Sequence, residues 1–279
     1  MMKHRQQRKD CFNQRNVVII GATGGLGVAF TDMFLNEGAN VFLGIRSEKK
    51  LSGQYRDNGE RVKWGILDIQ LPDTIKDFAD KVKEEMGYVD FVINATGYDV
   101  RKGLLEHSAE EILKSIDINL AGSIFITKSF LKLLKEQPES TIVHMGGFVD
   151  GGLAFPYYSV DVATRSGMYS FCESINRELI QEKRKYHLTY FCPNPANTKA
   201  ELPYHPIWKE MKVRISSPEE VARALRRALI NKKKISIMGG VLESGFAKLN
   251  HLSVSVSNFL LMKKYSSILK KYFGAKQQS

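Results

Sequence analysis

The chain of 279 residues is 43% hydrophobic and 25% charged, with three cysteines, Cys11, Cys172 and Cys192. That apolar share excludes a disordered chain, and three scattered thiols with no Cys-x-x-Cys pair exclude a disulfide framework and a structural zinc site; they suit a cytoplasmic setting. The net charge of +11 lies in the tails, five basic and one acidic residue in 1–15 and nine and one in 231–279, so the body between them is close to neutral.

Residues 1–15, with Lys3, Arg5, Arg8, Lys9 and Arg15, have neither interleaved aromatics nor a nucleic-acid module, and read as a basic disordered arm with no nucleic-acid role. The apolar run that follows stops at Gly21, too short for a signal-peptide core, and no stretch approaches the roughly 20 apolar residues of a membrane span. From there, β-branched runs alternate with amphipathic stretches. Strands are expected at 17–20, 41–43, 62–66, 91–93, 141–145, 188–191 and 235–238. Helical spacing joins Leu26, Phe30, Met33 and Phe34, and again Leu113, Ile116, Leu120 and Ile124. This predicts the α/β class: a Rossmann-type doubly wound parallel sheet in a single domain over 16–240, with a C-terminal helical extension over 241–279.

Late in the chain, 199–216 has no clean period and mixes Pro203, Pro206, Trp208 and Met211, which reads as a mobile flap over a pocket or as a plain surface loop. Ser217-Pro218-Glu219-Glu220 then marks a helix start with an N-cap hydroxyl, a first-turn proline and a capping-box carboxylate. Beyond the last strand, Phe246, Leu249, Leu252, Val256, Phe259 and Leu260 recur at helical spacing beside Lys263, Lys264, Lys270 and Lys271. Two readings stand for 246–273: contact with an anionic membrane surface, or a helix that closes the pocket or packs in an oligomer. The alternation of Leu252, Val254 and Val256 also allows an extended stretch.

The first strand runs into Gly21-Ala22-Thr23-Gly24-Gly25-Leu26-Gly27 and then a helix. Glycines there turn the chain tightly and let backbone N–H groups approach a pyrophosphate where the helix dipole favours anions. Further on come Asp68-Ile69 after the third strand, Asn94-Ala95-Thr96 after the fourth, Asn119 with Gly122, and Pro193-Asn194-Pro195-Ala196-Asn197-Thr198 after the sixth. In that order the motifs resemble the short-chain dehydrogenase/reductase family over about residues 16–240, with Thr96 and Asn194 replacing usual glycines. The resemblance implies a nicotinamide cofactor. Gly21, Thr23, Gly24, Gly25, Leu26 and Gly27 would hold its phosphates, Asp68 and Ile69 its adenine, Asn94, Ala95 and Thr96 the adjoining turn, and Pro193 and Thr198 the nicotinamide side. It also implies a homodimer or homotetramer built on the helices carrying Asn119 and Tyr158.

After the second strand the sequence is Gly44-Ile45-Arg46-Ser47, with no carboxylate to repel a 2′-phosphate. Arg46 and Ser47 offer a guanidinium fork and a hydroxyl, which favours NADP(H) over NAD(H); a solvated surface arginine is the alternative.

The family's catalytic groups are a serine that polarises a carbonyl, a tyrosine acid/base and a lysine four residues later. Alignment on Tyr158 puts Val162 at the lysine and Gly147 at the serine, with Gly146 beside it. A shift to Tyr157 meets Asp161, which would raise a tyrosine pKa. Arg165, His144 and Ser159 are conceivable substitutes. Tyr158 and Asn119 are therefore the expected catalytic residues of a weakened oxidoreductase acting on an apolar carbonyl or activated enone. A cofactor-binding partner subunit or redox sensor without turnover is the alternative, and non-redox chemistry in the same pocket a third.

Overall fold

All seven expected strands form, and they pair into one sheet. A computed structural model describes residues 11–56, 59–147, 153–238 and 253–273. Strands β1 (Asn16–Ile20), β2 (Asn40–Ile45), β3 (Val62–Ile66), β4 (Phe91–Asn94), β5 (Thr141–Met145), β6 (His187–Cys192) and β7 (Ile235–Ile237) run parallel in the order β3-β2-β1-β4-β5-β6-β7. Every connection is a crossover, so helices cover both faces and the inner strands carry near-continuous apolar runs. Alternate residues of β1 feed two cores: Val17 and Ile19 face one helical layer, Val18 and Ile20 the other.

The first layer holds α1 (Gly25–Asn36) and, near the end of the chain, a helix at Pro218–Ile230. The second holds α2 (Pro72–Met86), α3 (Ala109–Ile116) running through a π segment (Asp117–Ala121) into α4 (Gly122–Phe130), and α5 (Ser159–Gln181). The stripe expected over 113–124 is thus broken by the π turn, and Leu113 and Ile116 are exposed. Sheet order reverses between β1 and β4, and such a switch point opens a crevice at the carboxyl ends of the strands.

Two expectations need correction. Residues 11–15, assigned to a disordered arm, fold onto the sheet: Phe12 is buried edge-on against Phe34 and Phe91, and Arg15 bonds Asp90 at 2.9 Å. Residues 1–10 of that arm lie outside the described residues. The segment 199–216, read as a mobile flap over a pocket or a plain surface loop, does line a cavity but is partly helical: a 3-10 turn (Leu202–Tyr204) leads into α6 (His205–Glu210), with Ile207, Trp208 and Met211 buried. Proline at the start of each turn presets the helical φ, which hides the period from sequence.

Helix α7 (Pro218–Ile230) starts at the expected cap, with Ser217 Oγ accepting from Glu220 N. The expected C-terminal helix is present as α8 (Val254–Phe273), which buries Leu261 and Leu269, with Tyr265, Ile268 and Phe273 packed alongside. The named Val256, Phe259 and Leu260 are on its exposed side. Phe246, Leu249 and Leu252 lie outside the described residues.

Candidate functional site

Two cavities meet over the carboxyl ends of the strands. One of about 470 Å³ is lined by Arg46, Lys50, Asp68, Ile69, Tyr98 and Lys114; the other, of about 590 Å³, by Asp99, Arg101, Tyr158, Asp161, Arg165 and Trp208. They share Thr23, Gly24, Ala95, Thr96 and Gly97, so the two form one groove crossing the glycine turn.

The turn takes its shape from close backbone approach. Gly21 has φ of 81°, and a Cβ on Gly27 would fall 2.2 Å from the Gly21 carbonyl oxygen, so only glycine lets α1 begin here. Gly25 and Leu26 open that helix against the second cavity, and a Cβ on Gly25 would meet Thr198 at 2.7 Å. Ala95 and Thr96 line the groove, whereas Asn94 is buried beneath it. Asn94 Oδ1 accepts from Thr96 N (3.2 Å) and Thr96 Oγ1 (2.6 Å), while its Nδ2 donates to Ser123 Oγ (2.9 Å). These bonds fix the shape of the turn.

At the first cavity, Asp68 Oδ1 caps its own turn by accepting from Gln70 N at 3.0 Å. Ser47 Oγ accepts from Lys49 N at the start of a 3-10 turn and does not line the groove. Arg46 is joined instead by Lys50, a cation that the strand-end rule passed over because it sits a turn farther on. Pro193 and Thr198 line the second cavity, and Asn194 donates to Ser216 Oγ at 3.3 Å.

The second cavity holds a buried ionic chain. Arg165 Nε donates to Asp161 Oδ1 (3.1 Å), its Nη2 to Asp99 Oδ1 (3.1 Å) and its Nη1 to the Met145 carbonyl (2.9 Å). Arg165 thus bridges the carboxyl groups of Asp99 and Asp161. Arg101 forms a two-point pair with Glu201, at 2.7 and 3.1 Å, and its guanidinium stacks 4.0 Å from the Tyr204 ring centroid. Trp208 Nε1 donates to the same Glu201, tying α6 to the loop after β4.

These neighbours set the charges. Burial followed by the nearby Asp99 carboxylate pushes Asp161 up to about 7. Burial acts upward on Asp99 too, but the Arg165 charge, the neighbouring Asp161 carboxyl and Arg101 outweigh it and hold Asp99 below the usual carboxylate range. Tyr158 sits among Phe155, Trp208 and Phe273, its hydroxyl buried without a hydrogen-bond partner. Burial raises its pKa well above the ordinary phenol value, against the pull of Arg101.

The other expected groups have structural duties. Asn119 lies in the π segment, where Oδ1 accepts from Tyr98 N (2.9 Å) and Nδ2 donates to Tyr98 O (2.8 Å). It braces the loop carrying Asp99 and does not line the cavity. His144 on β5 is buried. Thr127 Oγ1 donates to Ser123 O (3.0 Å), so it accepts from His144 Nε2, and Nδ1 then accepts from Asn94 Nδ2. Burial pulls this neutral ring's pKa down to about 3. Ser159 is exposed at the start of α5.

The model of the short chain dehydrogenase family matches residues 15–204. The chain belongs to the short-chain dehydrogenase family. An Anopheles gambiae relative named "Dehydrogenase/reductase SDR family protein 7-like" is 26% identical over 287 residues, covering 95% of this chain and 86% of that protein. A short chain dehydrogenase from Burkholderia cenocepacia J2315, solved with NADP, is 20% identical over 90% of this chain and 98% of its own, with a TM-score of 0.75. A Burkholderia phymatum member solved with NAD is 19% identical, covers 88% and 95%, and has a TM-score of 0.76. The Rossmann fold and membership of an oxidoreductase family are thereby established.

Against the family pattern, Val162 packs into the aromatic cluster of Tyr158 and Trp208 and is absent from the cavity wall. The face turned to the cavity is instead 158, 161 and 165, and its cation is Arg165. Gly146 has no room for a side chain, since a Cβ would fall 2.6 Å from Cys192 Sγ and from the Tyr190 ring. Gly147 N donates to Tyr190 Oη at 3.3 Å. Asp99, Arg101 and Glu201 went unread in the sequence; the clue was opposite charges two apart just after the fourth strand's turn. Among the described residues no helix is long and apolar enough to cross a membrane, and no cluster could hold a metal ion.

Proposed function

We propose that this short-chain dehydrogenase is an NADP(H)-dependent oxidoreductase acting on an apolar carbonyl or activated enone. The observation that carries the reading is the continuous groove, cationic at Arg46 and Lys50 and enclosed at Arg165 and Tyr158. Residues present fit a nicotinamide dinucleotide: the glycine turn offers N–H groups to the diphosphate, Asp68 and Ile69 flank the adenine end, and Pro193 and Thr198 flank the other. The bound cofactor would accept or supply a hydride. Arg46 and Lys50 bind and select, Asn119 and Asn94 hold the loops in place, and α6 with Glu201 excludes water from the second cavity.

Aromatic side chains around Tyr158 favour an apolar substrate. Exposed Leu113 and Ile116 on α3 support a homo-oligomer. Exposed Val254, Val256, Phe259 and Met262 beside Lys263 and Lys264 support a peripheral contact with an anionic membrane surface from the cytoplasm. The test is NADPH oxidation with a panel of quinones, aryl ketones and enones: turnover with NADPH above NADH supports the reading, and no turnover opposes it. The unpartnered, enclosed Tyr158 hydroxyl favours a second reading, a cofactor-binding subunit without turnover. Saturable NADPH binding with no reduction of any panel member would select it.

A further inference from the structure

Reduction of a carbonyl needs a proton at oxygen, and the structure raises the question of which group can give it. Tyr158 is 6% exposed, and its hydroxyl reaches neither solvent nor a hydrogen-bond partner. His144 and Asn119 are saturated by structural bonds, and neither lines the cavity.

The carboxyl pair differs on each count. Asp161 and Asp99 both line the second cavity, with side chains 11% and 30% exposed. Their Oδ1 atoms each lie 3.1 Å from a nitrogen of the same guanidinium, which brings the two carboxyl groups close enough for like charge to oppose ionisation of both. One guanidinium, Arg165, spans both, so the proton and the carboxyl orientation are held together. Asp161 is also in the first turn of α5, three residues after Tyr158, on the face that the fold turns to the groove.

We propose that the acid/base group of this enzyme is Asp161, which shares one proton with Asp99 under Arg165 and gives it to the carbonyl oxygen of the substrate. The inference rests on the oxidoreductase reading above. The substrate gains a hydride at carbon, supplied by the reduced nicotinamide, and a proton at oxygen, supplied by Asp161. The carbonyl π pair becomes the new O–H bond, the Asp161 O–H bond breaks, and the ionised pair regains its proton from water. Arg165 stabilises the charge left behind, and Arg101, Tyr158 and Tyr204 are the other ionisable groups facing the pair.

The test uses the full chain with ¹³C-carboxyl aspartate, titrated by NMR from pH 4 to 9 without cofactor, in wild type, Asp161→Asn and Asp99→Asn. Expected is one carboxyl with a midpoint near neutrality, absent in Asp161→Asn and shifted toward the ordinary aspartate range in Asp99→Asn. In parallel, NADPH affinity is read by fluorescence and reduction of phenanthrenequinone by absorbance. Asp161→Asn should keep NADPH affinity within about threefold while kcat falls about 100-fold or more, the usual loss for an acid/base group, with partial recovery in Asp161→Glu. Wild-type kcat should fall as pH rises through the NMR midpoint. All carboxyls titrating near pH 4, or full kcat in Asp161→Asn with NADPH bound, overturns the proton assignment alone. No NADPH binding to wild type, or bound NADPH with no reduction, overturns the oxidoreductase reading and the assignment with it.

Discussion

At residue scale, the position that decides this site is 165 rather than 162. The family's lysine position carries Val162, which turns into the aromatic cluster, while Arg165 one turn later reaches both carboxyl groups. Installing the family's groups by Gly147→Ser with Val162→Lys should therefore raise kcat/KM by less than about threefold, since position 162 packs into the aromatic cluster and is absent from the cavity wall; a gain of 100-fold would show that the family geometry survives beneath. Tyr158→Phe removes a buried hydroxyl that has no partner, so the melting temperature should hold or rise. A fall of several degrees would mean that the hydroxyl is bonded. Asp161 also leaves a mark on stability. Its folded pKa is raised to about 7, so it binds a proton that the unfolded chain releases near pH 4. Its contribution is full below pH 4 and lost as pH rises to about 7, the reverse of His144, whose lowered pKa costs stability as pH falls from about 6.5 toward 3. Urea unfolding of wild type and Asp161→Asn should show a stability difference that changes across pH 4–7 and is flat above; a flat difference throughout would refute the shared proton.

At the scale of elements, the strands were legible, whereas the lid over the second cavity was legible as a covering flap but not as a helix. Runs such as Val17–Ile20 inside β1 or 141–145 are buried on both faces, so hydrophobicity and β-branching alone mark them. The glycine turn was legible for a similar reason, because its spacing is set by backbone clashes within a few residues. The segment 199–211 buries Ile207, Trp208 and Met211 against α8, some 50 residues later, and no local period reports so distant a partner. The same holds for Arg101 and Glu201, joined across 100 residues. Two changes probe this lid. Leu269→Ala empties a fully buried site under α6 and should cost about 2–5 kcal/mol in urea unfolding. Glu201→Ala leaves Arg101 with its longer ion pair to Asp99, at 3.7 Å, and should cost about 1–3 kcal/mol, with exposure of Trp208 seen as a red shift in its fluorescence. Loss of less than about 1 kcal/mol in either variant would show that the lid does not fold as described.

At the scale of the whole molecule, the sheet order places everything that matters at one switch point. The basic end of the groove lies beyond β2, the ionic chain beyond β4 and β5, and the turn shared by both cavities between them. A chain with its net charge in the tails and a near-neutral body has no general attraction for anions, so selectivity for a 2′-phosphate rests on Arg46 and Lys50. The measurement that tests this most directly is calorimetric titration of the full chain with NADPH and, separately, NADH. Saturable binding of NADPH is expected, tighter than NADH, and Arg46→Ala with Lys50→Ala should lower NADPH affinity by about 10- to 100-fold while leaving NADH nearly unchanged, as loss of charge-assisted phosphate contacts requires. Binding of neither cofactor would contradict the account at its centre, because the groove would then be a fold feature without its ligand.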